Sequence, residues 1–177
     1  MDVRERVVFL DAQASYDGEL LEDEIQFLFE TLKGSDEIAA VNSAFILGRL
    51  SKDTILGLTQ VFSDLPWSRQ QILVPIFAGA EFYEPYDFLL LQLKSCHDAL
   101  ADLIIRVLLL TEYFIAPLML LYLSDSTYIF HRRMKDLFFR MGFNRLKPFL
   151  SAFPELPQET ELREIFGDEK IDSLRES

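Results

Sequence analysis

The strongest constraint on this chain is a recurrence, because apolar helical segments return along it at nearly even intervals. Gly48, Gly79 and Gly142 are separated by 31 and 63 residues, the second about two periods, with Leu110 at the missing position. Aligned on those points, Val41, Ile72 and Leu103 coincide, as do Phe45, Ile76, Val107 and Phe139. A helix pair repeating every ~30–34 residues cannot bury its own apolar face, so neighbouring pairs must stack. The expectation is an all-α chain: an α-solenoid of about four helix pairs over residues 19–153, with an extension at 1–18 and an acidic tail at 154–177.

Individual helices follow from spacing and from their ends. Leu20, Leu21, Ile25, Leu28, Phe29 and Leu32 recur at helical intervals, with acids crowding the first turn, where the helix dipole favours them. Gly34 marks a stop, and Ser35 or Asp36 caps a helix rich in small residues. Further helices are expected from Lys52, from Trp67 to Gly79 with a kink at Pro75, and over Tyr86–Leu93, His97–Leu110, Pro117–Leu123 and Thr127–Gly142, with another from Asn144. Residues 1–17 are open to two readings. Asp2 caps a short helix carrying Val3, Val7 and Leu10, or the segment lies along the first repeat, with Asp17–Gly18 as a turn. The tail reads as a proline-containing linker and a short amphipathic helix that caps the last repeat or docks on the basic helix beside it.

Half of the 177 residues are hydrophobic, enough for a packed core without metal or disulfide staples. Cys96 is the single cysteine, which excludes an internal disulfide framework and points to a reducing, cytoplasmic setting. The amino terminus has only the short apolar run Val7–Leu10 before Asp11, so no secretory leader is expected. Net charge is −12, which argues against wrapping duplex nucleic acid, since that needs many bases on one face. Residues 131–150 reverse the sign, with six bases against Asp136. The most apolar region, 99–123, is interrupted by Asp102, Arg106 and Glu112 and divided by Pro117, so no membrane association is expected.

The stretch DEIAAVNSAFILGRL (Asp36–Leu50) resembles the second helix of a HEAT repeat, with its Ala-rich middle and closing Leu-Gly. At the level of pattern the resemblance extends over about residues 19–153. It departs from the family in lacking the Asp-Pro before the second helix and in having Ala39 where an arginine is usual. The resemblance implies a stack used as a protein-binding scaffold or adaptor, in which second helices line the concave face. It also implies a less favoured alternative, since some HEAT-like folds carry lyase or glycosylase activity.

Catalytic constellations are weak. Cys96-His97-Asp98 has the residue types of a nucleophile, base and orienter, but adjacent helical residues point about 100° apart and cannot form a relay. A helix cap at His97 or Asp98 and a core Cys96 explain them better. His131 has no carboxylate at ligand spacing, and no phosphate loop, serine elbow or zinc spacing is present. The carboxylates at 19–24 and 81–87 are those of solvated first turns. No catalytic, cofactor-binding or metal-binding residue is therefore assigned, and no cofactor is expected.

The residues assigned to partner contact are Asn42, Arg69, Gln70 and Arg106 on second helices, with Arg132, Arg133, Lys135 and Arg140 on the basic helix. An ion pair to Asp102 or Glu112 is the structural alternative for Arg106. For the basic helix the alternative is pairing with the acidic tail. The expected partner is another protein of basic character, met by a non-enzymatic scaffold. An acidic inhibitor or immunity-type protein that masks a basic enzyme is a second expectation.

Overall fold

A computed structural model describes residues 2–17, 19–111, 114–125 and 127–175. Gly18 of the expected turn and Glu112, a candidate partner of Arg106, lie outside the described residues. All regular structure among the described residues is helical. The helices are α1 (Val3–Asp17), α2 (Glu22–Lys33), α3 (Glu37–Leu50), α4 (Lys52–Val61), α5 (Trp67–Ala78), α6 (Glu84–Gln92), α7 (Asp98–Leu110), α8 (Ala116–Leu123), α9 (Tyr128–Met141), α10 (Phe143–Leu150), α11 (Glu159–Phe166) and α12 (Asp168–Asp172). A 3-10 turn, Phe62–Asp64, follows α4. None of these helices is long and apolar enough to cross a membrane. The chain divides into two compact units, Met1–Phe88 and Leu89–Ser177.

In the first unit α3 is the hub, packing on α1, α2, α4 and α5. Its sequence explains why. Ala39, Ala40, Ser43 and Ala44 are buried together with Ile46 and Leu47, so small side chains let neighbours approach from several directions while two large ones fill the core. Each large aliphatic buried in this way contributes about 1.5–3 kcal/mol. Asp36 caps α3 by accepting the Ala39 N–H at 3.1 Å, which satisfies one of the amides that the helix start leaves unpaired. Gly48 faces Ile76 so closely that a Cβ there would stand 2.5 Å from Ile76 Cγ2. Phe62, Phe77 and Phe88 close the other side of this core as a ring cluster with centroids 5.4–5.8 Å apart.

Residues 3–17 form a full helix, capped reciprocally at Asp2. The Glu5 N–H donates to Asp2 Oδ1 at 2.8 Å, and the Asp2 N–H donates to Glu5 Oε2 at 2.9 Å. Arg4 pairs with Asp36 at 2.6 Å near the start of α3. Arg49, near the end of α3, pairs with Asp11 and donates to Ser15 Oγ at 3.1 Å. The two ties make α1 run parallel to α3, so the segment is a helix, longer than the short one expected, and it lies along α3. Helix α5 continues through Pro75, where a kink was expected; Pro75 has no N–H to donate to the Gln71 carbonyl, so the helix runs on with one bond fewer.

In the second unit α9 packs on α7, α8, α10 and α11. Phe130, Arg133, Met134, Leu137 and Phe138 are its buried residues, a stripe at 3–4-residue spacing. Gly142 ends α9 at φ +83°, a conformation that side chains resist. The tail helices are anchored by Leu162 and Ile171, both buried. Phe166 stacks edge-on against Phe143 at 5.6 Å, and Glu164 pairs with Lys135. The tail therefore docks on the basic helix, one of the two placements its sequence suggested.

Candidate functional site

Four of the eight residues assigned to partner contact come together on α7 and α9 of the second unit. Arg133 Nη2, from the middle of α9, meets Asp98 Oδ1 at the start of α7 at 2.8 Å, and Arg140 Nη1, near the end of α9, lies 3.7 Å from Asp102 Oδ1 one turn along α7. The two helices therefore run parallel, and their exposed faces form one open groove of about 320 Å³. Asp98, Asp102, Arg132 and Asp136 line it, over a floor of Ala101 and Ile105.

Each carboxylate of the groove is engaged. Arg106 Nη2 meets Asp102 Oδ2 at 3.0 Å, and Arg140 Nη1 lies 3.4 Å from Asp136 Oδ2. The hydrogen bond from Arg133, and then its charge, hold the Asp98 carboxyl below the usual carboxylate range. Arg132 is exposed and makes no hydrogen bond or ion pair with the described residues, although its charge also favours the Asp98 carboxylate, so its guanidinium donors stay open to solvent. On the same helices Tyr128 (76% exposed), one turn before Arg132, and Phe139 (68%) and Leu110 (83%), near the ends of α9 and α7, are exposed apolar side chains. Arginine and exposed aromatic side chains are the residue types enriched in protein interfaces.

Arg133 itself is built into the fold. It is buried, donating to the Leu93 carbonyl at 2.7 Å and the Cys96 carbonyl at 3.0 Å, two backbone acceptors between α6 and α7. Arg69 is also buried, at 3% exposure, under an ion pair with Glu37 at the start of α3. Its Nε finds no partner among the described residues. Gln70 is half-buried and donates to the Phe62 carbonyl at 3.1 Å, and Asn42 is exposed on α3. These three lie in the first unit. Lys135 lies on another flank of α9, held by Glu164 of the tail.

Cys96, His97 and Asp98 go separate ways. The His97 ring accepts the Leu100 N–H through Nδ1 at 3.2 Å and so caps α7. Asp98 turns to Arg133. Cys96 is half-buried, and desolvation pushes its thiol pKa up, against the thiolate that nucleophilic chemistry needs. His131 Nδ1 lies 3.1 Å from the Leu123 carbonyl. Among the described residues no group of His, Cys, Asp or Glu is placed to hold a metal ion. In the 81–87 segment, Glu84 is bound by Lys52, whose hydrogen bond lowers its pKa.

The residues that sequence reading did not assign to this face are Asp98, Asp102, Asp136, Tyr128 and Phe139. Tyr128, Arg132, Asp136 and Arg140 follow one another at four-residue steps, and that spacing marks one helix face. Counting bases alone hid it. No family model, no curated protein and no solved structure matches this chain.

Proposed function

We propose that this chain is a non-enzymatic protein-binding module, a scaffold or adaptor whose contact surface is the α7–α9 groove. The observation that carries the reading is the groove itself: open, lined by carboxylates already paired with arginines, with the Arg132 donors open and exposed Tyr128 and Phe139 on the same helix. A hydrolase or lyase site needs titratable groups converging in a water-excluding cleft, and these groups instead neutralise one another across open surface. We place the module in the cytoplasm, consistent with its single cysteine.

The stacked-pair architecture, HEAT-like in pattern, is supported by the spacing of polar links. Arg4–Asp36, Glu37–Arg69 and Lys52–Glu84 each join residues 32 apart, and Asp98–Arg133 joins residues 35 apart. Links one period long are what successive, similarly placed helices would make.

A photo-crosslinking residue in place of Tyr128 tests the reading in source cells. A discrete protein adduct, missing when the same group replaces exposed Glu155 instead, supports it. Adducts of equal pattern at both positions contradict it.

One observation favours a second reading, the inhibitor or immunity-type protein. Residues 1–88 carry sixteen acids against six bases, whereas 89–177 carry thirteen against eleven. A unit of net charge −10 suits the masking of a basic enzyme. Tight binding to one cationic enzyme that silences its activity, and weakens steeply as salt rises, distinguishes it from a general scaffold.

A further inference from the structure

Helix α1 is apolar on two opposite faces. Val7, Leu10 and Ala14 point into the first unit and are buried. On the far side Val8 (62% exposed), Phe9 (57%) and Tyr16 (92%) stand in solvent with Ala12 between them. With Glu5, these outward positions are spaced i, i+3, i+4, i+7 and i+11, the spacing of a helix face that packs against something. A surface helix of a two-layer fold is polar on this side; one that is apolar all round is normally covered all round.

The charges around this face select what covers it. Both arginines of α1 turn away from it, Arg4 to Asp36 and Arg6 over the Phe27 ring at 4.0 Å from its centroid. Gln13 Nε2 donates to Glu24 Oε2 at 3.3 Å, which seats the end of α1 beside the start of α2. There Glu19, Glu22 and Asp23 are exposed and make no hydrogen bond or ion pair with the described residues. The apolar stripe thus runs from Glu5 to an unneutralised acidic rim, with no base on its outer face. A second copy would set one −10 unit against another, a like-charge contact that costs binding energy. An anionic bilayer is repelled for the same reason.

We propose that the outer face of α1 is a docking site for a cationic amphipathic helix of a partner protein. The partner's apolar stripe covers Val8, Phe9 and Tyr16, and its basic flank meets Glu19, Glu22 and Asp23. This surface is separate from the α7–α9 groove, so the two proposals stand or fall apart.

The test titrates the ¹⁵N-labelled full chain with a synthetic Leu/Lys helix of about five turns, and with the same peptide carrying Glu for Lys. The expected result is chemical-shift change confined to residues 5–23 with the Lys peptide and none with the Glu peptide. Phe9→Ser with Tyr16→Ser, both exposed and so harmless to folding, weakens the Lys peptide about tenfold or more, as loss of aromatic anchors does. Glu19→Gln, Glu22→Gln and Asp23→Asn together weaken it and flatten its salt dependence. Shifts centred elsewhere, equal binding by the serine variant, or equal binding of the Glu peptide overturn the proposal. A concentration-dependent dimer that the serine substitutions abolish also overturns it, and assigns the face to a second copy.

Discussion

Arg133 on α9 reaches Asp98 at the start of α7, with Nη2 to Oδ1 at 2.8 Å, yet Arg133 is buried and Asp98 is 90% exposed. The asymmetry decides what each residue contributes. The carboxylate stays in water and gains little from the pair. The guanidinium has left water, and the Leu93 and Cys96 carbonyls depend on it. Arg69 and Glu37 repeat the arrangement in the first unit, at 3% and 61% side-chain exposure.

Arg133→Ala is therefore expected to cost about 3–5 kcal/mol, because it orphans buried acceptors and opens a void. Asp98→Asn is expected to cost far less, because an exposed partner contributes little to an ion pair. Urea denaturation of the two variants, followed by circular dichroism, checks the contrast. Equal losses would refute the asymmetry.

Of the three glycines that mark the repeat, two are needed and for different reasons. At Gly48 a methyl group would meet Ile76 Cγ2 at 2.5 Å, and overpacking of about 1–3 kcal/mol outweighs the gain of about 1 kcal/mol in helix propensity. Gly48→Ala should destabilise, and Ile76→Ala in the same chain should recover part of the loss, since the two changes share one space. Gly142→Ala should cost about 1–3 kcal/mol through its positive φ. Gly79, at φ −94°, should accept alanine without loss. Thermal melts of the four variants give the comparison.

The acid limb of stability has a defined position. Lys94, and then the Thr127 N–H, hold Asp125 at a pKa of about 2, against 3.8 for a free side chain. A carboxyl with a lowered folded pKa adds stability above its unfolded value and loses it as pH falls toward the folded one. Asp36, Asp98 and Glu164 are lowered in the same direction by Arg4, Arg133 and Lys135. Melting temperature should be flat near neutrality and fall between about pH 4 and pH 2. Lys94→Met should flatten that fall. A descent that begins near pH 6 would point to histidine and contradict this account.

The tail should open before the body does. Among the described residues its anchors include Leu162, Ile171, the Phe166–Phe143 contact and the Lys135–Glu164 pair, fewer than the five buried side chains that hold α9. Lys135→Glu places like charges together, and amide exchange at 159–172 should speed up while that of 130–138 stays slow. Glu164→Lys in the same chain should restore protection.

Helix positions were legible in the sequence because caps and apolar spacing are local. Asp36, Pro66, His97 and Gly142 stand at helix ends, where residues of their types stop or start helices. The length of α1 was not legible, since Val8, Phe9 and Tyr16 blur the one-sided pattern on which such a reading depends. Burial of single arginines was hidden too. Arg132 and Arg133 are neighbours of identical type, and about 100° of helix rotation puts one in solvent and the other beneath the Leu93 and Cys96 carbonyls. Nothing local to either residue tells them apart. The acidic partners Asp98 and Asp102 lie some 35 residues away, so only the stacking of α9 on α7 reveals the groove.

The α7–α9 groove is the central claim, and affinity capture from source-cell lysate tests it most directly. The intact chain is compared with Arg132→Glu/Arg140→Glu, which reverses the groove's exposed arginines on α9 and leaves buried Arg133 in place. Matching circular dichroism and melting curves establish that both are folded. The account predicts one protein retained by the intact chain and lost by the variant. Retention of that protein by both at equal yield would contradict it.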